Sequence, residues 1–198
     1  INGITNLGFF GIILGVLIGT ILTAIIHSSS AFTAIVITMA ATGSLTWELS
    51  AALVLGSNIG TTIDAILSSI GASTNAKRTA LVHVLFNVFG TILAIIFFKP
   101  LLALVDLIVP NTPNGNITNH IAMLHTVFNV CSTIIFLPFV NQIAALVSKM
   151  IKEPKNQAED HYKIPIIISK MQNSVDVYVM QSEKEISRMS AKVMTMLD

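Results

Sequence analysis

Across residues 1–148 the chain carries only six formally charged side chains: Glu48, Asp64, Lys77, Arg78, Lys99 and Asp106. The last fifty residues hold the other eight basic and seven acidic ones. An ordinary soluble domain is about 25% charged. This chain is 11% charged and 53% hydrophobic. The first part is therefore suited to lipid and the last part to water. In lipid every backbone N–H and C=O must be satisfied within the protein, which leaves helices or closed barrels. Apolar runs of helical length point to helices. The expected fold is an all-α integral membrane protein with broken helices, followed by the start of a soluble helical domain. A net charge of +1 gives no footprint for nucleic acid. Cys131 is the only cysteine, so no internal disulfide can form.

The first apolar run, residues 7–26, is uncharged and long enough to cross a hydrocarbon core of about 30 Å. No basic segment precedes it in this sequence, so it does not read as a signal peptide. The chain is expected to be a piece of a longer protein. Gly11, Gly15 and Gly19 repeat every four residues and form one helix face on which a second backbone can lie closely. Then come His27-Ser28-Ser29-Ser30, a short apolar piece at 31–41, a turn at Thr42-Gly43-Ser44, and another short piece at 51–55. That piece enters Gly56-Ser57-Asn58-Ile59-Gly60-Thr61-Thr62, with a further piece at 63–70. Short apolar pieces interrupted by Gly, Ser, Thr and Asn predict discontinuous membrane helices.

Lys77-Arg78 open a span at 79–98, and 101–109 extend it beyond Lys99-Pro100. Residues 110–116 are a Pro/Asn loop. A last span covers 119–137, with a kink at Pro138 and a continuation to 147. Basic residues favour the cytoplasmic side, which places Lys77, Arg78, Lys149, Lys152 and Lys155 inside and the 110–116 loop outside. Asn116-Ile117-Thr118 is a glycosylation sequon on that loop. The expected domains are a membrane part at 1–150, a polar linker at 151–163 and a helical segment at 164–198. In that segment Met171, Val175, Tyr178, Ile186, Met189, Val193 and Met196 recur at helical spacing. One amphipathic helix needs a partner to cover its apolar face.

Residues 80–92 and 122–134 form an internal repeat, identical at seven of thirteen positions. It pairs His83 and Asn87 with His125 and Asn129. Two readings stand: these pairs support a binding region, or they bond between helices.

His27-Ser28-Ser29-Ser30 place hydroxyls and backbone N–H groups at the head of a short helix, a ready site for an oxyanion. Ser57, Asn58, Thr61 and Thr62 add hydroxyls and an amide, with carbonyls expected to be open around Gly56 and Gly60. Oxygen ligands of this kind suit sodium, with Ser29, Ser30, Asn58, Thr61 and Thr62 as candidates. No thiol or imidazole cluster suggests a transition metal. The residues point to a transporter for a small anion, with cation coupling open. The alternative is that small polar residues merely let helices pack. A Ser/His hydrolase is disfavoured: His27 and Ser28 are adjacent, and no G-x-S-x-G elbow occurs. Asp64 is either an ion or proton site, or a wet helix end.

The ordered set of His27-Ser28-Ser29-Ser30-Ala31, Gly56-Ser57-Asn58-Ile59-Gly60-Thr61-Thr62, Lys77-Arg78, and His83 to Asn87 resembles the type II sodium/phosphate cotransporters and their bacterial relatives. His125 to Asn129 followed by Leu137-Pro138-Phe139 resembles the closing helix of that family. The resemblance covers about residues 10–148 and implies the second of two inverted repeats. It implies that serine stretches of both repeats bind inorganic phosphate and sodium at the midplane of a plasma-membrane symporter, with alternating access. It further implies no enzyme activity, no cofactor besides the coupling ion, and a first repeat as partner. A homodimer and a cytoplasmic PhoU-like domain starting at 164 complete the expectation. His27 stands where the family usually has Gln, and Asp64 where a neutral residue is commoner. A phosphate-status sensor that does not transport, and a proton-coupled carrier of another anion, are the competing readings.

Overall fold

The computed structural model describes residues 8–153 and the helix at 175–197. By its contacts the chain divides into two compact units, Ile1–Pro154 and Lys155–Asp198. In the first unit α1 spans Phe9–Ile26, α2 Ser29–Ala41, α3 Trp47–Gly60, α4 Thr62–Ser69, α5 Thr74–Ile96 and α6 Phe98–Ile108. A 3-10 turn at Pro113–Gly115 leads to α7, Ile117–Phe136. A second 3-10 turn, Leu137–Phe139, holds Pro138 and leads to α8, Val140–Met150. The second unit contributes α9, Val175–Leu197. Among the described residues there is no strand. The fold is all-α, and four stretches are long and apolar enough to cross a bilayer: Phe9–Ile26, Trp47–Ser69, Thr74–Ile96 and Ile117–Met150.

The buried face of α1 is built from small residues. Helix α1 buries Gly11, Gly15, Val16, Gly19 and Thr23 and exposes Leu14, Leu17, Ile21 and Ile25. That is the inverse of a water-soluble helix, and it fits a solvent as apolar as leucine, where helices associate by close packing. Helix α3 is the hub. Twelve of its fourteen residues are buried, and it packs against α1, α2, α5 and α7.

The α1–α3 contact is a backbone-to-backbone seam. A Cβ added at Gly19 would lie 2.1 Å from the Leu53 carbonyl oxygen, and one at Gly56 would lie 2.0 Å from that of Val16. A Cβ on Gly60 would meet Thr20 and Thr23 at 2.6 Å, and one on Gly15 would meet Ala52 at 2.9 Å. The contacts advance in the same sense along both helices, so α1 and α3 run parallel and α2 is the return stroke. Thr20 Oγ1 donates to the Gly56 carbonyl at 3.0 Å, bridging the seam.

Two expectations about the helices need correction. The stretch at 56–62 is not a break. Residues 51–55 belong to a helix that begins at Trp47 and is interrupted only by Thr61, whose backbone is still right-handed helical (φ −63°, ψ −20°). The physical reason is local. Ser57, Thr61 and Thr62 donate their hydroxyls to the carbonyls of Val54, Asn58 and Ile59, three residues back, and so stay within the helix. The glycines stay helical because α1 packs on them. The carbonyls expected to be open include that of Gly56, which accepts from Thr20. Second, the span placed at 79–98 starts at Thr74, where Ser73 Oγ accepts from the Ala76 N–H. Lys77 and Arg78 lie inside that helix.

Arg78 Nε donates to the Ile151 carbonyl and Nη1 to Glu153 Oε1, both at 3.1 Å. The start of α5 and the end of α8 therefore share one end of the unit. The polar linker at 151–163 and the segment from 164 lie outside the described residues, except for 151–153 and α9. Within α9, Ile186, Met189 and Val193 are exposed. Met171 and the side chains of Val175, Tyr178 and Met196 lie outside the description.

Replacing Gly56 or Gly19 by Ala should force the seam apart and destabilise the protein by about 1–3 kcal/mol or more. Thermal unfolding of detergent-solubilised protein checks this. Gly115→Ala is the control, since its Cβ would meet nothing nearer than 3.7 Å. Equal melting temperatures for all three variants would refute the seam.

Candidate functional site

Helix α1 ends at His27, whose backbone is left-handed (φ 58°, ψ 24°) and whose N–H donates to the Thr23 carbonyl at 2.8 Å. Ser28 then takes an extended conformation and caps α2, its Oγ accepting from the Ala31 N–H at 3.2 Å. The N–H groups of Ser29 and Ser30 follow at the head of α2, where no helical carbonyl can reach them. Ser28 Oγ and Ser30 Oγ lie 3.2 Å apart. Ser30 is exposed, and Ser28 and Ser29 are half-buried. This is a true helix break with a polar head, as the serine run predicts.

The 56–62 stretch supplies a different surface. Ser57, Asn58 and Thr62 are buried and Thr61 is half-buried. A hydroxyl that donates to its own helix keeps its lone pairs for another partner, and Thr61 and Thr62 are in that state. Asn58 Nδ2 donates to the Val54 carbonyl at 3.0 Å.

The two stretches meet through a pair that the sequence shows only as separate oddities. His27 Nδ1 lies 2.6 Å from Asp64 Oδ1, and both side chains are about half exposed, at 50% and 51%. Gly60 packs on Thr20, Thr23 and Ala24, so the α3–α4 junction rests against the end of α1.

The repeat elements sit elsewhere. Asn87 Nδ2 donates to the His83 carbonyl at 2.9 Å, and Asn129 Nδ2 to that of His125 at 2.8 Å. Both amides bond within their own helix and not across to another. His83 is exposed and Asn87 buried, while His125 and Asn129 are half-buried.

Two features escaped the sequence reading. Thr23 is fully buried, lies against Gly60, and its hydroxyl has no hydrogen-bond partner among the described residues. A lone threonine in an apolar run gives no signal. His120 is also fully buried, at the other end of the unit. Its Nδ1 lies 2.9 Å from the Asn116 carbonyl, its Nε2 3.5 Å from Asp106 Oδ1, and its ring is edge-on to Trp47 with centroids 5.6 Å apart. A cavity of about 890 Å³ opens there, lined by residues that include Trp47, Glu48, Lys99 and Asp106. It includes none of the residues of the serine break. No group of three or more His, Cys, Asp or Glu that could hold a metal occurs among the described residues.

A protein-family model matches residues 10–108, and its description is Na+/Pi-cotransporter. The chain belongs to the Na+/Pi-cotransporter family. The match contains both polar stretches, the glycine seam, Asp64 and the first His/Asn element. No curated protein and no solved structure matches the chain. Membership makes this a multi-pass membrane protein of a family that couples sodium to phosphate.

An unpartnered buried hydroxyl costs about 1–3 kcal/mol. Thr23→Val, which removes it at nearly constant volume, should leave the melting temperature of the solubilised protein unchanged or higher. A clear drop would mean that the hydroxyl is satisfied.

Proposed function

We propose that this chain is the second inverted repeat of a sodium-coupled phosphate importer of the plasma membrane, working by alternating access with a first repeat. The carrying observation is the head of α2. Ser28 caps it, the N–H groups of Ser29 and Ser30 are open, and the whole break lies inside the family match. The positive end of the helix and these donors favour an oxyanion. Ser28, Ser29 and Ser30 are assigned to phosphate, with His27 at the rim.

Sodium is the second cargo. It calls for neutral oxygens, and the candidates are Ser29, Ser30, Asn58, Thr61 and Thr62, with Ser57 behind them. In Thr61 and Thr62 the hydroxyl hydrogen is already committed to a backbone carbonyl, which leaves the oxygen to face a cation. His83, Asn87, His125 and Asn129 support the helices that frame the site. Scarce charge in the membrane part accords with a carrier that binds and releases both ions, since fixed charges there are costly. The shared end of Lys77, Arg78 and Lys149 is assigned to the cytoplasm, with the tail. The tail is read as the start of a PhoU-like domain, and a homodimer is part of the same proposal.

The test is phosphate uptake into proteoliposomes holding the full-length protein, with sodium or choline outside. Ser29→Ala removes one hydrogen bond to a charged ligand, worth about 1.5–3 kcal/mol. It should lower phosphate affinity by about 10-fold to 100-fold. Ser28→Ala should add a loss of stability of about 1 kcal/mol from the missing cap. Uptake in choline equal to that in sodium, or normal uptake in Ser29→Ala, would sink the proposal.

A further inference from the structure

We infer, on the reading that the head of α2 holds the anion, that Asp64 decides which oxyanions enter: those that still carry a proton, such as hydrogen phosphate, and not fully ionised ones such as sulfate. His27 stands one residue before the capping Ser28, and its Nδ1 is 2.6 Å from Asp64 Oδ1. The carboxylate therefore sits at the rim of the break. A bond donated by the ring nitrogen occupies one of about four acceptor positions on a carboxylate. Asp64 is 51% exposed, so further acceptor positions are open to an incoming ligand.

Its ion-pair partner among the described residues is His27. Among the described residues no Lys or Arg pairs with Asp64, and Arg78 is engaged by Asn75, Ile151 and Glu153. A carboxylate beside an oxyanion is repulsive unless the oxyanion donates a hydrogen to it. Hydrogen phosphate and dihydrogen phosphate have a P–O–H group for this purpose, and sulfate at neutral pH has none. The serines bind any tetrahedral oxyanion, and Asp64 adds the repulsion that rejects the wrong one. A site built around a substrate hydroxyl can reject an analogue without it by factors up to about 10⁵ when enclosed. At a half-exposed carboxylate the expected factor is about tenfold to a hundredfold.

The experiment measures inhibition of sodium-dependent phosphate uptake by the full-length protein in proteoliposomes. The inhibitors are arsenate, sulfate and monofluorophosphate, the last being phosphate with its hydroxyl replaced by fluorine. Arsenate should compete within about tenfold of phosphate, and sulfate and monofluorophosphate at least about tenfold more weakly than arsenate. The readout is the ratio of inhibition constants, which a merely structural role would not move. Asp64→Asn and Asp64→Thr should each narrow that ratio about tenfold, and Asp64→Glu should keep it. Monofluorophosphate competing as well as arsenate in the native protein would overturn the inference without any variant. So would a neutral variant that imports phosphate and still rejects sulfate as strongly. Failure of the site itself looks different: Ser29→Ala would then leave uptake untouched.

Discussion

The contact on which the rest depends is the passage of α1 across α3 at backbone distance. Lipid offers no hydrophobic gain for bringing two apolar helices together, so the association has to come from packing. Gly15, Gly19, Gly56 and Gly60 remove the side chains that would hold the helices apart. Thr20 then closes a hydrogen bond across the seam. With α1 against it, α3 is covered nearly all round, and α2, α5 and α7 complete the cover. The same seam brings Gly60 onto Thr23 and Ala24, and so sets the end of α1 beside the start of α4. The His27–Asp64 pair is a consequence of that placement.

Around this hub the neutral polar residues divide into two kinds. Ser57, Asn58, Thr61 and Thr62 turn their hydrogens back onto their own helix and are buried or half-buried. Ser28, Ser29 and Ser30 sit where the helix restarts, and their backbone donors point out of it. A helix interior satisfies polar side chains by its own carbonyls, whereas a helix head leaves N–H groups over. The same few residue types thus present oxygen lone pairs in one place and N–H donors in the other. The proposed assignment of the cation to the first place and the anion to the second rests on that difference.

Much of this was legible in the chain. The scarcity of charge before Lys149 separates the lipid part from the tail, and the four-residue glycine spacing marks the packing face of α1. The serine run marks a break, because Ser28 can cap and His27 can be spared from the helix. The stretch at 56–62 misled for a physical reason. Its Gly, Ser, Asn and Thr content is that of a loop, yet a buried helix tolerates it when each hydroxyl has a carbonyl in reach and each glycine has a neighbour pressed on it. The amides of Asn87 and Asn129 look suited to bonds between helices, but their nearest acceptors are the carbonyls one turn back. Thr23 and His120 gave no sign, since burial depends on which helix comes to lie over them.

The amino-acid sequence by itself determined the apolar character of the first part, the helical class, the place where α1 stops and α2 begins, and the family resemblance. These rest on local chemistry: hydropathy over a span, a cap, a glycine period. Only the tertiary structure decided that α1 and α3 run parallel in backbone contact and that 56–62 stays helical. It alone set Asp64 against His27, thirty-seven residues away. Such pairings follow from the crossing of two helices, and a crossing is a property of two surfaces at once, which no single run of residues encodes.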